Sequence, residues 1–248
     1  SDPVVPVNVI YIHLDYFLSR GVLEEARQLQ RQYTNLEVVV QSDWKNRHEM
    51  LREVLPSVKT RWVVVHDNNN KGLPRDWIQK LITAAKTTKP PPVLIAPLIN
   101  AVDNQDPSKT QDHHAVIQVV LVKPQNATGL HSKTVPGSGE ALLCWTGTHD
   151  GKKLHNTEGL EVISGDAVET HSYLVDAKRV DLKALYDTHN AFASYHIGFG
   201  LHLGERHGQN ASAVLTGLEY SYMYPNTHMS VADVPFAMMR WNAWDNMH

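Results

Sequence analysis

The stretch Arg61-Trp-Val-Val-Val-His-Asp-Asn-Asn-Asn-Lys-Gly-Leu-Pro-Arg-Asp-Trp77 decides how this chain is read. It joins an apolar run, Trp62 to Val65, to a polar cluster, His66 to Asn70, and then to Pro74, a residue suited to the first turn of a helix. An apolar, mostly β-branched run without polar alternation predicts a central strand covered on both faces. The cluster then stands at that strand's carboxyl end. Open α/β sheets bind ligands at that edge, which makes His66, Asp67, Asn68 and Asn69 the first functional candidates. The same residues also have the composition of a plain turn, because Asn, Asp and Gly tolerate turn conformations and bond their own backbone.

On the amino-terminal side the pattern repeats. Pro6 to His13 predicts a strand ending in His13-Leu-Asp-Tyr16, and Ser19 is placed to cap a helix reaching Tyr33, whose Val22, Ala26, Leu29 and Tyr33 recur at helical spacing. Leu36 to Val40 predicts the next strand, ending in Gln41-Ser-Asp-Trp44. Asn46 and Glu49 have the spacing of a capping box before a helical face of Met50, Leu51, Val54 and Leu55. On the carboxyl side, Trp77, Ile78, Leu81, Ile82 and Ala85 mark one side of a helix. Lys89-Pro-Pro-Pro92 ends it, and Val93-Leu-Ile-Ala96 supplies another buried strand. Such alternation predicts the α/β class, with a mostly parallel central sheet flanked by helices.

The second half is less regular. Asn100 to His114 reads as a surface loop, Ala115 to Val122 as a strand, Lys123 to Glu140 as irregular chain, and Ala141 to Trp145 as a short apolar run. Gly147 to Gly159 reads as loop, Leu160 to Ser164 and Ser172 to Val175 as strands, and Ala177 to Tyr186 as a helix. Ala191 to His207 has a helical pattern but contains Gly198, Gly200 and Gly204, each costing up to about 1 kcal/mol inside a helix. A loop is therefore expected to enter a helix near Ile197 to Leu201. Ser212 to Tyr224 alternates like a strand, and Val231 to His248 is a tail whose Phe236, Met238, Met239, Trp241 and Trp244 are expected to pack on the core.

Composition narrows the function classes. The 248 residues are 42% hydrophobic and 20% charged, with a net charge of −3, which leaves no basic footprint for nucleic acid or an anionic membrane surface. No segment approaches the roughly 18 apolar residues of a membrane span. There is no signal peptide, and a start at Ser1-Asp2-Pro3 without Met favours a processed chain or an excised domain. The lone Cys144 cannot form an internal disulfide and sits in an apolar run, as a small buried hydrophobe does. Two sequons, Asn126-Ala-Thr128 and Asn210-Ala-Ser212, point towards a secretory-pathway lumen such as the Golgi if they are used, and otherwise the chain is cytoplasmic. Fifteen histidines, among them His113, His114, His149, His155, His196, His202 and His207, leave a His-ligated metalloprotein open. No Cys-x-x-Cys or His-Glu-x-x-His accompanies them, and phosphate-loop, dinucleotide and serine-hydrolase signatures are absent.

In order along the chain, these segments resemble nucleotide-sugar glycosyltransferases of the GT-A fold. Asn35-Leu-Glu-Val-Val-Val40 with Asp43 resembles the family's second strand, which ends in acidic residues near the base. Trp62 to Val65, Asp67-Asn-Asn69 and Leu73-Pro-Arg-Asp-Trp77 are similar to its third strand, Asp-x-Asp metal motif and following helix start. Val162-Ile-Ser-Gly165 with Ser172-Tyr-Leu-Val175 resembles the acceptor-side strands. Leu182 to Tyr195, with Tyr186-Asp187, is similar to the approach to the acidic catalytic segment. The match runs from about residue 7 to residue 220.

The resemblance implies a single GT-A-like, Rossmann-like domain over residues 1–248, with a nucleotide-binding half at 1–100 and an acceptor-side half at 101–248. It implies a nucleotide-sugar donor and a carbohydrate, glycoprotein or glycolipid acceptor. Asp15, Tyr16, Asp43, Asp67, Asn68 and Lys71 would line the nucleotide sugar, and Asp67 with Asn69 would hold Mn²⁺ or Mg²⁺. Two departures stand out. An amide, Asn69, replaces the second carboxylate of the metal motif, and amides are poorer ligands for hard cations. The segment Tyr195-His-Ile-Gly-Phe-Gly200 carries no carboxylate where inverting members have their catalytic acid, leaving His196 as the candidate general base. A scaffold that has lost catalysis and binds glycan or protein is the reading these departures favour instead.

Overall fold

The computed structural model describes residues 10–14, 20–40, 57–66, 70–103, 110–114, 116–122, 132–135, 140–147, 152–168, 172–181 and 199–224. Strand β1 (Ile10–Leu14) lies parallel to β2 (Leu36–Val40), and helix α1 (Arg20–Gln32) connects them in sequence. This is the strand, helix, strand unit that the periodicity predicts, since parallel neighbours need a crossover. Helix α1 buries Ala26, while Leu29 is 37% exposed and Tyr33, one residue past its end, 55% exposed, so the expected apolar spacing is wider than the face the helix covers.

Strands β3 (Trp62–His66) and β4 (Asn70–Lys71) stand on either side of the polar cluster, and α2 (Trp77–Thr87) follows. The Trp77 N–H donates to the Pro74 carbonyl at 3.1 Å, which places Pro74 in the turn before the helix and not in its first turn. Then come β5 (Thr88–Lys89), β6 (Leu94–Asp103), β7 (Thr110–His114), β8 (Val116–Val122), β9 (Ser132–Val135), β10 (Glu140–Gly147), β11 (Lys152–Asn156), β12 (Val162–Gly165), β13 (Ala167–Val168), β14 (Ser172–Asp176), α3 (Phe199–His207) and β15 (Ser212–Tyr224).

Several expectations change, among them that of irregular chain over 123–140, which contains β9. The supposed loop 100–114 continues β6 as far as Asp103, then returns as β7, with Ile99 opposite His114 and Asn100 opposite His113. The supposed loop 147–159 contains β11. Backbone groups form these ladders whatever the side chains, so polar strands without hydrophobic alternation escape a periodicity reading. Ala177 to Arg179 forms a turn, with the Arg179 N–H donating to the Asp176 carbonyl, where a helix start was expected. The helix from Asn46, residues 182–186 and the carboxyl-terminal tail lie outside the described residues.

The largest sheet runs in the order β3-β14-β6-β15-β12-β11-β5, with β4 added against β15 and β7 against β6. A second, four-stranded antiparallel sheet runs β13-β8-β10-β9. Among the described pairs, β1 with β2 and β6 with β15 are parallel and the others antiparallel. The α/β class stands, but the expected mostly parallel sheet is replaced by a mixed one. Apolar runs report burial on both faces and carry no information about strand direction. Nor is β3 central. Among the described residues it pairs with β14 alone and ends the sheet, with Trp62, Val63 and Val64 half-buried.

The centre belongs to β6 and β15, and their alternation feeds two cores. Ile95, Leu174, Ala213 and Leu215 pack with Leu81, Ala84 and Ala85 of α2 on one face. Leu94, Ala96, Tyr173, Val175 and Val214 pack with Val168 of β13 and Leu203 of α3 on the other. Helix α3, entered at Phe199, begins where the loop-to-helix change was expected. Gly200 is what lets it approach: a Cβ there would overlap the Asp166 carbonyl and Ala167.

Candidate functional site

Strand β3 is fastened at both ends to β14. At its start, the Arg61 guanidinium forks onto the buried Asp176 carboxylate at 3.2 and 2.8 Å and lies 4.7 Å over the Trp62 ring. Hydrogen bonding to Asp176, and then its charge, raise the Arg61 pKa above the ordinary guanidinium value. At its end, His66 stands opposite Ser172 in the ladder, with Nδ1 3.1 Å from the buried Ser172 Oγ. Alternation places Trp62, Val64 and His66 on one face. That is the α2 face, where Trp62 and Val64 join the α2 core and the His66 ring centroid is 5.3 Å from that of Trp77.

Four residues after His66, β4 pairs with the far half of β15, Asn70 opposite Tyr222 and Lys71 opposite Ser221. Gly72 then takes φ +88°, a conformation open to glycine, and turns the chain towards α2. Leu73 packs on the buried Tyr220.

These pairings bend the sheet. On a flat sheet in this order, β4 would stand four strand spacings from β3, roughly 19 Å away, whereas four residues reach at most about 14 Å. The far halves of β6 and β15 therefore curl back towards the end of β3. The curl starts at an irregularity in their pairing, where Leu215 is opposite Pro97 but Glu219 is opposite Leu98. Pro97 brings no N–H to the ladder, and the extra residues of β15 are taken up beside it. In that bulge Thr216 bonds back to Glu161 through its N–H, at 3.1 Å, and its hydroxyl. The result is a polar end of β3 set between α2, β14 and the curled part of β15.

Of the candidate site residues, Lys71 is placed in β4 beside Ser221. Asp15, Tyr16, Asp43, Asp67, Asn68, Asn69 and His196 lie outside the described residues. In sequence, Asp15 and Tyr16 follow Leu14, and Leu14 pairs with Val40, the strand residue ahead of Asp43. Asp67, Asn68 and Asn69 follow His66. The pairing of Ser172 with His66, and of Ser221 and Tyr222 with β4, was not signalled by the sequence, because strand register across long separations leaves no local pattern.

As a donor set for a hard cation, Asp67 and Asn69 fit in kind, both offering oxygen, with one charge instead of two. Among the described residues no group of three His, Cys, Asp or Glu side chains gathers as a metal site. Of the histidines of the metalloprotein reading, His113 and His114 fall in β7, His155 in β11, and His202 and His207 in α3, while His149 and His196 lie outside the described residues. Burial and then the Arg206 charge lower the His202 pKa. Burial, then Arg179 and Arg206, lower that of His207.

No protein-family model and no curated protein sequence matches the chain. Among solved structures it is similar to a crystal structure of GalNAc-T7 with UDP, GalNAc and Mn²⁺, at TM-score 0.56 and 9% identity. The alignment covers 96% of this chain and 43% of that one, so the chain spans less than half the length of that protein. At this identity the likeness is one of fold, GT-A-like.

Proposed function

We propose that the chain is a nucleotide-sugar-dependent glycosyltransferase, moving a sugar from its donor to a hydroxyl of a carbohydrate, glycoprotein or glycolipid acceptor. The observation that supports this reading is the GT-A-like fold; in sequence, Asp67-Asn-Asn69 follows the end of β3 and precedes the β4 rung on β15. The neighbour of known structure was crystallised with UDP and Mn²⁺.

In this reading Asp15, Tyr16 and Asp43, after the ends of β1 and β2, contact the base and ribose. Asp67, Asn68 and Lys71 contact the ribose and diphosphate. Asp67 and Asn69 are the residues that would hold a divalent cation, which when bound offsets the charge of the leaving diphosphate. Lys71 adds a positive charge to the same end. His196 removes the proton from the acceptor hydroxyl, within the acceptor-side half at 101–248. The setting is a secretory-pathway lumen such as the Golgi.

Calorimetric titration with UDP and GDP, with and without Mn²⁺, tests the reading on the intact chain and on Asp67→Ala. One nucleotide should bind, more tightly with Mn²⁺, and Asp67→Ala should weaken it by roughly tenfold or more, because the one charged oxygen of the donor set is gone. No binding of either nucleotide under any condition overturns it. The missing second carboxylate favours one alternative, a glycan-binding scaffold, which would leave nucleotide sugars unconsumed while retaining glycan.

A further inference from the structure

We propose that Asn210 is an N-glycosylation site, carrying a glycan on its Nδ2 at the turn between α3 and β15. The proposal stands apart from the transferase reading and rests on a motif joined to a geometry. The motif is Asn210-Ala211-Ser212, with the hydroxyl residue two places on and no proline between.

The geometry has three parts. Asn210 sits in a tight turn, made by the Gly208 φ of +88° and closed by the Ala211 N–H on the Gly208 carbonyl at 3.0 Å. It is half-buried, and its Oδ1 accepts a hydrogen bond from Ser164 Oγ at 3.1 Å. Among the described residues no hydrogen bond engages Nδ2. The carboxamide is held by one arm and leaves the other for a substituent. Around it, Glu205, Arg206, His207, Gly208 and Gln209 are exposed, and a Cβ built on Gly204 or Gly208 meets nothing within 4 Å. Among the described residues of this rim a hydrated sugar chain has room.

The donor is a lipid-linked diphosphate oligosaccharide. The bond from Nδ2 to the first sugar's anomeric carbon forms and the bond from that carbon to the diphosphate oxygen breaks. Nδ2 gives up one proton, and the lipid diphosphate leaves. Ser212, whose hydroxyl completes the motif, is 3% exposed in β15, opposite Gly165 and Leu94. Its burial sets the order of events: the sugar is attached before β15 joins the sheet.

The test is peptide mapping of the protein isolated from its own cells, after release of N-glycans by an amidase in heavy-oxygen water. The peptide containing residue 210 should appear as Asp labelled with the heavy oxygen, and the intact protein should lose one mass step on amidase treatment. Asn210→Gln should abolish that step, whereas Ser212→Thr, which keeps the hydroxyl, should retain it even if the folded protein is weakened. An unmodified residue 210 overturns the proposal, including the case in which the glycan is found at Asn126 alone.

Discussion

Asn156 joins two elements that sequence distance keeps apart. Its Nδ2 donates to Thr87 Oγ1 and Thr88 Oγ1, both at 2.9 Å, and its Oδ1 accepts from the Glu158 and Leu160 N–H groups. The side chain thus ties the end of α2 to the β11–β12 turn. Asn156→Ala leaves these donors and acceptors to find other partners, and should cost on the order of 1–3 kcal/mol in chemical denaturation, with the folded-state spectrum unchanged. A change within experimental scatter would mean that water replaces the amide there. A second expectation concerns protons. The folded-state pKa values of His202 and His207 lie below the ordinary imidazole value of 6.5. As pH falls through that value the unfolded chain takes up protons first, so stability is full above it and declines with acidification until the folded groups themselves titrate. Replacing His202 by Gln should flatten this decline, which denaturant midpoints between pH 7.5 and pH 5 measure, those limits being set about one unit either side of the ordinary value. An unaltered slope would locate the acid sensitivity elsewhere. Neither role was visible in the sequence: Asn156 fell in a stretch read as loop, and a histidine's charge environment depends on which helix face it occupies. Gly200 was half legible, since its low helix propensity marked a boundary but not the contact with Asp166 and Ala167 that requires it.

Among the elements, α2 was the most legible and is the easiest to test. Leu81 and Ala84 are fully buried and Ala85 is 2% exposed, packed on the alternate residues of β6, β14 and β15. Leu81→Ala should cost about 2–5 kcal/mol, the range for a cavity opened beneath a helix that cannot settle into it. Urea denaturation measures it, and a loss under 1 kcal/mol, well below that range, would mean that α2 can slide to close the gap. A 3.6-residue repeat survives any tertiary context, which is why Trp77, Ile78, Leu81, Ile82 and Ala85 could be placed in advance. Strand existence was nearly as clear for β2, β3, β14 and β15. Strand position was not. Trp62 to Val65 looked central because nothing in it is polar, yet β3 closes the sheet; its apolar residues cover α2 on one side and the Leu94 core on the other. Strand β7 was missed because Thr-Gln-Asp-His-His has no apolar member to alternate.

For the whole molecule, the GT-A-like likeness and the ordered resemblance in sequence agree on the fold. Asp67→Ala gives a clean check at this scale. In sequence the residue follows His66 and precedes the β4 rungs; if it serves the nucleotide and not the framework, the thermal midpoint should stay within about 2 °C of wild type, as for a substitution away from the core, while nucleotide affinity falls. A parallel loss of both would place Asp67 in the framework instead of the site. The candidate site was legible as a list of residues near strand ends. The sheet's curl depends on one irregularity beside Pro97 that no local pattern announces.

That irregularity bears on how the sequence can change over time. Strand β15 serves two neighbours in succession on one edge, β12 before the bulge and β4 after it, while β6 runs along the other edge throughout. Removing one residue between Leu215 and Glu219 would turn every later side chain of the strand to the opposite face and carry Ser221 away from Lys71. Substitutions at the exposed Gly217 are a local matter, but its deletion would reach the polar end of β3. Descendants of this chain are held to a fixed count of residues here.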